Sequence, residues 1–174
     1  MKRTISCLVR NRFGVLASVA GLFSSRGFNI ESLTVSKTEN PDSSRMTIVT
    51  IGDDAIIEQT RKQLGKLINV LKVVDLSGVD AVERDLMLIK IHTPAGSRVE
   101  IIQLVQVFQG KIVDISPKDI MVEIVGPEAK IDAFVRLMQP FGIKEIARTG
   151  RVAMSRGPTM TGAPKDAIQS LDRV

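Results

Sequence analysis

Asn11, Gly14 and Asn29, with the run N-R-F-G-V-L-A-S-V-A-G-L-F-S-S-R-G-F-N-I from Asn11 to Ile30 that joins them, could hold a small ligand. Apolar residues recur at Val15, Leu16, Val19, Ala20, Leu22 and Phe23, the stripe of an amphipathic helix. Gly14 stands just before the stripe and Gly27 just after it, where a left-handed cap is wanted. A glycine lets a ligand approach the backbone closely. The start of a helix offers unpaired N–H groups and the positive end of the dipole, which suits an anion. Asn11 before the helix and Asn29 after it each add a donor and an acceptor. One carboxylate-sized charge could be held there without a cationic side chain. The same pattern also occurs in purely structural loops, and spacing by itself does not choose between the two.

Residue types that would support catalysis do not gather. His92 precedes Thr93-Pro94 with no Asp or Cys cluster near it in sequence, so it reads as a surface residue. Asp53-Asp54 and Asp80, Glu83 and Asp85 lack metal-loop spacing. There is no G-x-S-x-G, no G-x-x-x-x-G-K-[ST] and no Cys/His metal spacing. No catalytic residue, no metal ligand and no cofactor is expected in this chain. Cys7 lies in a strand-like run and reads as a small core residue. A single cysteine forms no internal disulfide, which fits a reducing, cytoplasmic setting.

The chain has 174 residues with 44% hydrophobic and 25% charged, ordinary globular values, and no Trp or Tyr, so its core must be aliphatic. No apolar run approaches the roughly 18 residues of a membrane helix, and the N-terminus lacks a signal-peptide pattern. The net charge of +5 and pI near 9.6 raise the possibility of nucleic-acid binding. The excess is dispersed: residues 1–78 carry 11 cations against 7 anions, and residues 79–157 carry 11 against 10. With no basic run and no Tyr or Trp to stack bases, neither nucleic acid nor membrane is the expected partner.

The elements that must position the loop follow in order. Thr4–Val9 reads as a strand, Val15–Arg26 as a helix, Ile30–Lys37 and Arg45–Ile51 as a hairpin around the turn at residues 39–44. Asp53 or Asp54 caps a second helix marked by Ile56, Ile57, Thr60, Leu64, Leu67 and Ile68, and Val70–Leu76 is the fourth strand. The same order returns as Leu86–Ile91, a Ser97-capped helix Val99–Phe108 stopped by Gly110, Lys111–Ser116, Asp119–Val125, Glu128–Gln139 and Ile143–Thr149. This predicts an α+β fold of two tandem ferredoxin-like βαββαβ units, 1–78 and 79–157, with a mobile or partner-docking tail at 158–174. A weak helical pattern, Ala167, Ile168 and Leu171, closes the tail. The sheet faces away from the helices carry Ile, Val and Met, which predicts packing against another copy or another protein. Small residues Ala17 and Gly21 on the first helix favour dimerisation through the N-terminal half.

N-R-F-G-V-L-A-S-V-A-G-L-F (Asn11–Phe23), R-G-F-N-I-E-S-L-T-V (Arg26–Val35) and S-R-M-T-I (Ser44–Ile48) resemble the N-terminal ACT domain of the acetohydroxyacid (acetolactate) synthase small subunit. V-E-R-D-L-M-L-I-K-I (Val82–Ile91), G-K-I-V-D-I-S (Gly110–Ser116) and E-I-A-R-T-G-R-V-A-M-S-R-G (Glu145–Gly157) resemble that family's C-terminal domain. The resemblance implies a non-catalytic subunit. It would bind the large catalytic subunit, raise its activity and confer feedback inhibition by valine or another branched-chain amino acid. Thiamine diphosphate, Mg and FAD would belong to the large subunit alone. The resemblance also implies a homodimer through the ACT domain with the effector at its interface. Asn11, Gly14 and the N–H groups of Val15 and Leu16 would hold the carboxylate, Asn29 would reach across, and Ile30 would line the apolar pocket. Some relatives carry Ser where this chain has Ala17, so no hydroxyl is available there. The alternative is a stand-alone ACT-type sensor acting on transcription or RNA, which the absence of a helix-turn-helix pattern disfavours.

Overall fold

The computed structural model describes residues 1–157, so the helical pattern expected at Ala167–Leu171 lies outside the described residues. The described residues divide into two compact units, Met1–Val82 with residues 152–157, and Glu83–Arg151. The division falls a few residues after Gly78.

The first unit runs β1 (Lys2–Arg10), α1 (Val15–Ser25), β2 (Ile30–Lys37), β3 (Ser43–Ile51), α2 (Asp54–Leu64) and β4 (Val70–Asp75). Its antiparallel sheet has the order β2-β3-β1-β4, which leaves β2 and β4 as edges. Ile5, Cys7 and Val9 of β1 point to one side and pack with Val15, Val19 and Phe23 of α1 and Ile57 and Leu64 of α2. Phe23 meets Phe28 edge to face at 6.5 Å. Asp53 caps α2 by accepting from the Ile56 N–H at 2.8 Å. That helix ends at Gly65, so Leu67 and Ile68, expected on its apolar stripe, fall in the following loop. Ile68 is 91% exposed there. On the far face of this sheet, where packing against another copy or another protein is the expectation, Thr4, Ser6, Leu8, Thr47 and Val49 are already buried within the chain. An additional strand, β9 (Val152–Ser155), contributes the buried Ala153.

The second unit runs from β5 (Ala81–His92) through α3 (Arg98–Val107), β6 (Lys111–Ile115), β7 (Asp119–Gly126) and α4 (Glu128–Met138) to β8 (Ile143–Arg148). Its order, β6-β7-β5-β8, reproduces that of the first sheet, so both halves are ferredoxin-like. Met87, Ile89 and Ile91 with Ile120, Val122 and Ile124 face the helices, where Ile101, Val105, Ile131, Phe134 and Met138 complete the core. The far face keeps half-exposed Leu88 and Val125 beside charge pairs such as Lys90–Glu145. Ser97 is the N-cap residue of α3, as expected, but its hydroxyl makes no cap bond and donates instead to the Pro94 carbonyl at 2.8 Å. The helix ends in a left-handed residue at Gln109, φ 54°, one position before Gly110. His92 finds a carboxylate that sequence distance concealed: the β5–β7 register puts Asp119 opposite it, with Nδ1 3.3 Å from Oδ1. Lys144, and then His92, hold the Asp119 carboxyl below its usual range against the opposing effect of burial.

Burial pushes the Cys7 thiol up to about 12. At pH 8 the native protein should therefore be inert to a thiol-specific chromogenic disulfide and react fully once unfolded in guanidinium. Stoichiometric reaction of the native chain within minutes would show that β1 opens far more readily than its burial implies.

Candidate functional site

The loop between β1 and α1 is tied to the hairpin turn beside it. The Asn11 backbone N–H donates to the Asp42 carbonyl at 2.7 Å, and its side-chain Nδ2 donates to the Pro41 carbonyl at 2.9 Å. The side-chain amide is thereby oriented, and its Oδ1 remains able to accept. No spacing rule links Asn11 to a turn 30 residues on, so these partners were not legible in the sequence.

Gly14 is the N-cap of α1, with φ 80° and ψ −6°. Only glycine takes that left-handed conformation freely, and a Cβ built there meets nothing within 4 Å. The Gly14 carbonyl accepts from both the N–H and the hydroxyl of Ser18, each at 3.0 Å. Val15 buries its side chain in the core, while its N–H makes a long contact of 3.4 Å to the Arg12 carbonyl. Leu16 is 46% exposed, and its N–H belongs to the first turn, where helix geometry provides no partner. Among the four α-helices described, α1 is the one with no acidic residue in its first turn; α2 has Asp54, α3 Glu100 and α4 Glu128. The positive end of its dipole is not offset by a carboxylate of its own first turn.

Asn29 and Ile30 lie elsewhere. Asn29 sits in the turn after α1, donates from Nδ2 to Glu31 Oε1 at 2.6 Å, and accepts at its carbonyl from Thr50 Oγ1 at 2.7 Å. Ile30 opens β2, half-buried and packed against the first core. The register fixes the separation. Arg10 pairs with Ser43 and Lys37 with Ser44 at one end of the sheet, whereas Ile30 pairs with Thr50 at the other. Seven residues of strand lie between those ends, roughly 23 Å. One chain therefore groups Asn11, Gly14, Val15 and Leu16, and places Asn29 and Ile30 at the opposite end of β2.

The fold and this loop define an ACT domain followed by a second ferredoxin-like unit. Residues 5–72 match the AHAS small subunit-like ACT domain, and residues 84–157 match the small subunit of acetolactate synthase. The chain is 55% identical over 157 residues to a probable acetolactate synthase small subunit of Archaeoglobus fulgidus, covering 90% of this chain and 98% of that one. It is 50% identical over 162 residues to the acetolactate synthase small subunit of Mycobacterium bovis, covering 93% and 96% respectively. The crystal structure of the small subunit from Thermotoga maritima superposes with a TM-score of 0.83 at 44% identity, over 91% of this chain and 99% of that one. The chain belongs to the acetolactate synthase small subunit family.

Proposed function

We propose that this chain is the non-catalytic regulatory subunit of an acetolactate synthase. It binds the thiamine-diphosphate-dependent large subunit, raises its activity, and makes it subject to feedback inhibition by valine or another branched-chain amino acid. Thiamine diphosphate, Mg and FAD belong to the large subunit, and the assembly works in the cytoplasm. The observation that carries the reading is the division of the site residues between the two ends of β2, an edge strand. Antiparallel pairing of two β2 edges about a two-fold axis inverts one copy relative to the other. The partner's Asn29 and the partner's Ile30 then come to the end where Asn11 and Gly14 lie. A site that is half-built in one chain becomes whole twice over in a dimer.

In that dimer the effector carboxylate lies at the start of α1, on the Leu16 N–H and on the Val15 N–H, whose contact to Arg12 is long enough to exchange. The Asn11 side chain joins those N–H groups in holding the carboxylate, the partner's Asn29 binds the ammonium or carboxylate across the interface, and the partner's Ile30 covers the branched side chain. Burying such a side chain contributes about 1.5–3 kcal/mol, enough to select against smaller or polar amino acids. Since the ligand touches both copies, binding and dimerisation are linked.

Sedimentation of the full-length protein across micromolar concentrations should show a monomer–dimer equilibrium that valine shifts toward dimer. Calorimetry should find one effector per chain. Saturable valine binding by a strict monomer would refute the shared site, and failure to activate the purified large subunit would refute the regulatory role.

A further inference from the structure

Phe13 is the most exposed large apolar side chain among the described residues, at 106%. The other two rings of the first unit, Phe23 and Phe28, pack in its core. The backbone that carries Phe13 is held on both sides. Asn11 is tied to the hairpin turn, and the Arg12 N–H donates to the Arg10 carbonyl at 2.9 Å. Gly14 then turns the chain into α1. Among the described residues Gln109 is the only non-glycine with positive φ, so the backbone at Phe13 accepts any side chain.

The sequence accounts for the bare ring. Gly14 is the N-cap of α1, so Phe13 precedes the cap and Ser18 is the fourth residue of the helix. An apolar residue before the cap ordinarily packs on an apolar fourth residue, and the pair fixes how the chain enters the helix. Here the fourth residue is polar. Ser18 is exposed, and its hydroxyl donates back to the Gly14 carbonyl at 3.0 Å. The ring therefore offers half of a contact whose other half is missing, and its apolar surface stays in water. It does so beside the first turn of α1, where the Val15 and Leu16 N–H groups are.

Resting on the effector site of the regulatory-subunit reading, we propose that Phe13 closes over the effector's side chain and sets the preference for branched-chain over smaller amino acids. With its carboxylate on the first turn of α1, the effector stands next to the residue before the cap. Rotation about the Phe13 side-chain bonds brings the ring onto the branched chain with no change of backbone. The ligand then supplies the apolar contact that Ser18 does not, and the partner's Ile30 packs from the other side. A single methyl gives the ring little to close on, so discrimination grows with the apolar area covered.

A protein surface is the rival occupant. Leu16, 46% exposed, is the other large apolar side chain exposed at this helix start, and Ala17 and Ser18 beside it are small. Two apolar side chains make too small a patch for a protein interface and suit a small molecule.

The chain contains no tryptophan, so Phe13→Trp places a single reporter on an exposed position of the full-length protein. Its emission should be that of a solvated indole, and saturating valine should shift it to the blue and shield it from acrylamide. By calorimetry, Phe13→Ala should bind valine at least about tenfold more weakly than wild type, while alanine affinity changes less than about twofold. Phe13→Leu should recover most of the valine affinity. Unchanged valine affinity in Phe13→Ala, or an indole still quenched at saturating valine, would overturn the role of Phe13 and leave the effector site standing. An indole already blue-shifted without valine, or shifted by the purified large subunit alone, would give the ring to a protein surface and overturn the role as well. Absence of valine binding by wild type would overturn the effector site itself, and this role with it.

Discussion

Replacing Gly14 by aspartate should abolish feedback inhibition over the useful concentration range while leaving association with the large subunit intact. Two effects combine. An aspartate at the start of α1 puts an anion where the effector carboxylate is proposed to lie. A charge-assisted hydrogen bond is worth about 1.5–3 kcal/mol, and roughly 1.4 kcal/mol is tenfold in affinity. Losing one such bond and adding repulsion weakens binding by on the order of a hundredfold. The second effect is conformational. An aspartate is well tolerated at an ordinary helix N-terminus, but Gly14 has φ 80°, so any side chain there is strained even though the space is open. The strain is about 1–2 kcal/mol, milder for Asp than for most residues. Gly14→Ala carries the strain without the charge and separates the two effects. Valine titration of the reconstituted enzyme should show a modest loss for alanine and a loss about ten times larger or more for aspartate. Equal curves for the two variants would assign the whole effect to the backbone and remove the carboxylate from this position.

Phe134→Ala should be the most destabilising single truncation in the second unit. The ring is fully buried and meets Phe108 edge to face, with centroids 5.3 Å apart. Truncating such a ring costs about 3–5 kcal/mol through lost burial and a residual cavity. The aromatic pair adds about 0.5–1.5 kcal/mol. Whole domains are stable by only about 5–15 kcal/mol, so the second unit should unfold at a midpoint lower by on the order of 20 °C. The two cores share no residue, so valine binding at the first unit should persist below that midpoint. Leu137→Ala, one turn of the same helix away in character and 44% exposed, should cost less than about 1 kcal/mol and serves as the control. Similar melting curves for both variants would mean that Phe134 is not packed as described.

The sequence by itself determined the element order, the duplicated βαββαβ plan and the family. Those features rest on local signals. Period-3.6 stripes, the Asp53 cap and the turn residues at 39–44 each act within a few positions of themselves. Gly14 was legible as the residue before the apolar stripe, but a glycine there also occurs in purely structural loops, so its spacing did not mark it as a binding position. What needed tertiary structure was every relation set by strand register. The sequence placed Asn11, Gly14, Asn29 and Ile30 close together along the chain. Antiparallel geometry carries the last two to the opposite end of β2, because α1 runs the length of the sheet before the chain turns back. Register also brought Asp119 to His92 and Asp42 to Asn11, pairings that no short-range pattern encodes. The strand β9 escaped notice because four residues carry too little periodicity to stand out. The Leu67 and Ile68 stripe misled for the complementary reason: apolar spacing continued past Gly65 although the helix did not. The left-handed φ of Gly14 was likewise decided by the fold, since the chain must leave β1, reach the hairpin turn with Asn11 and enter α1 within four residues.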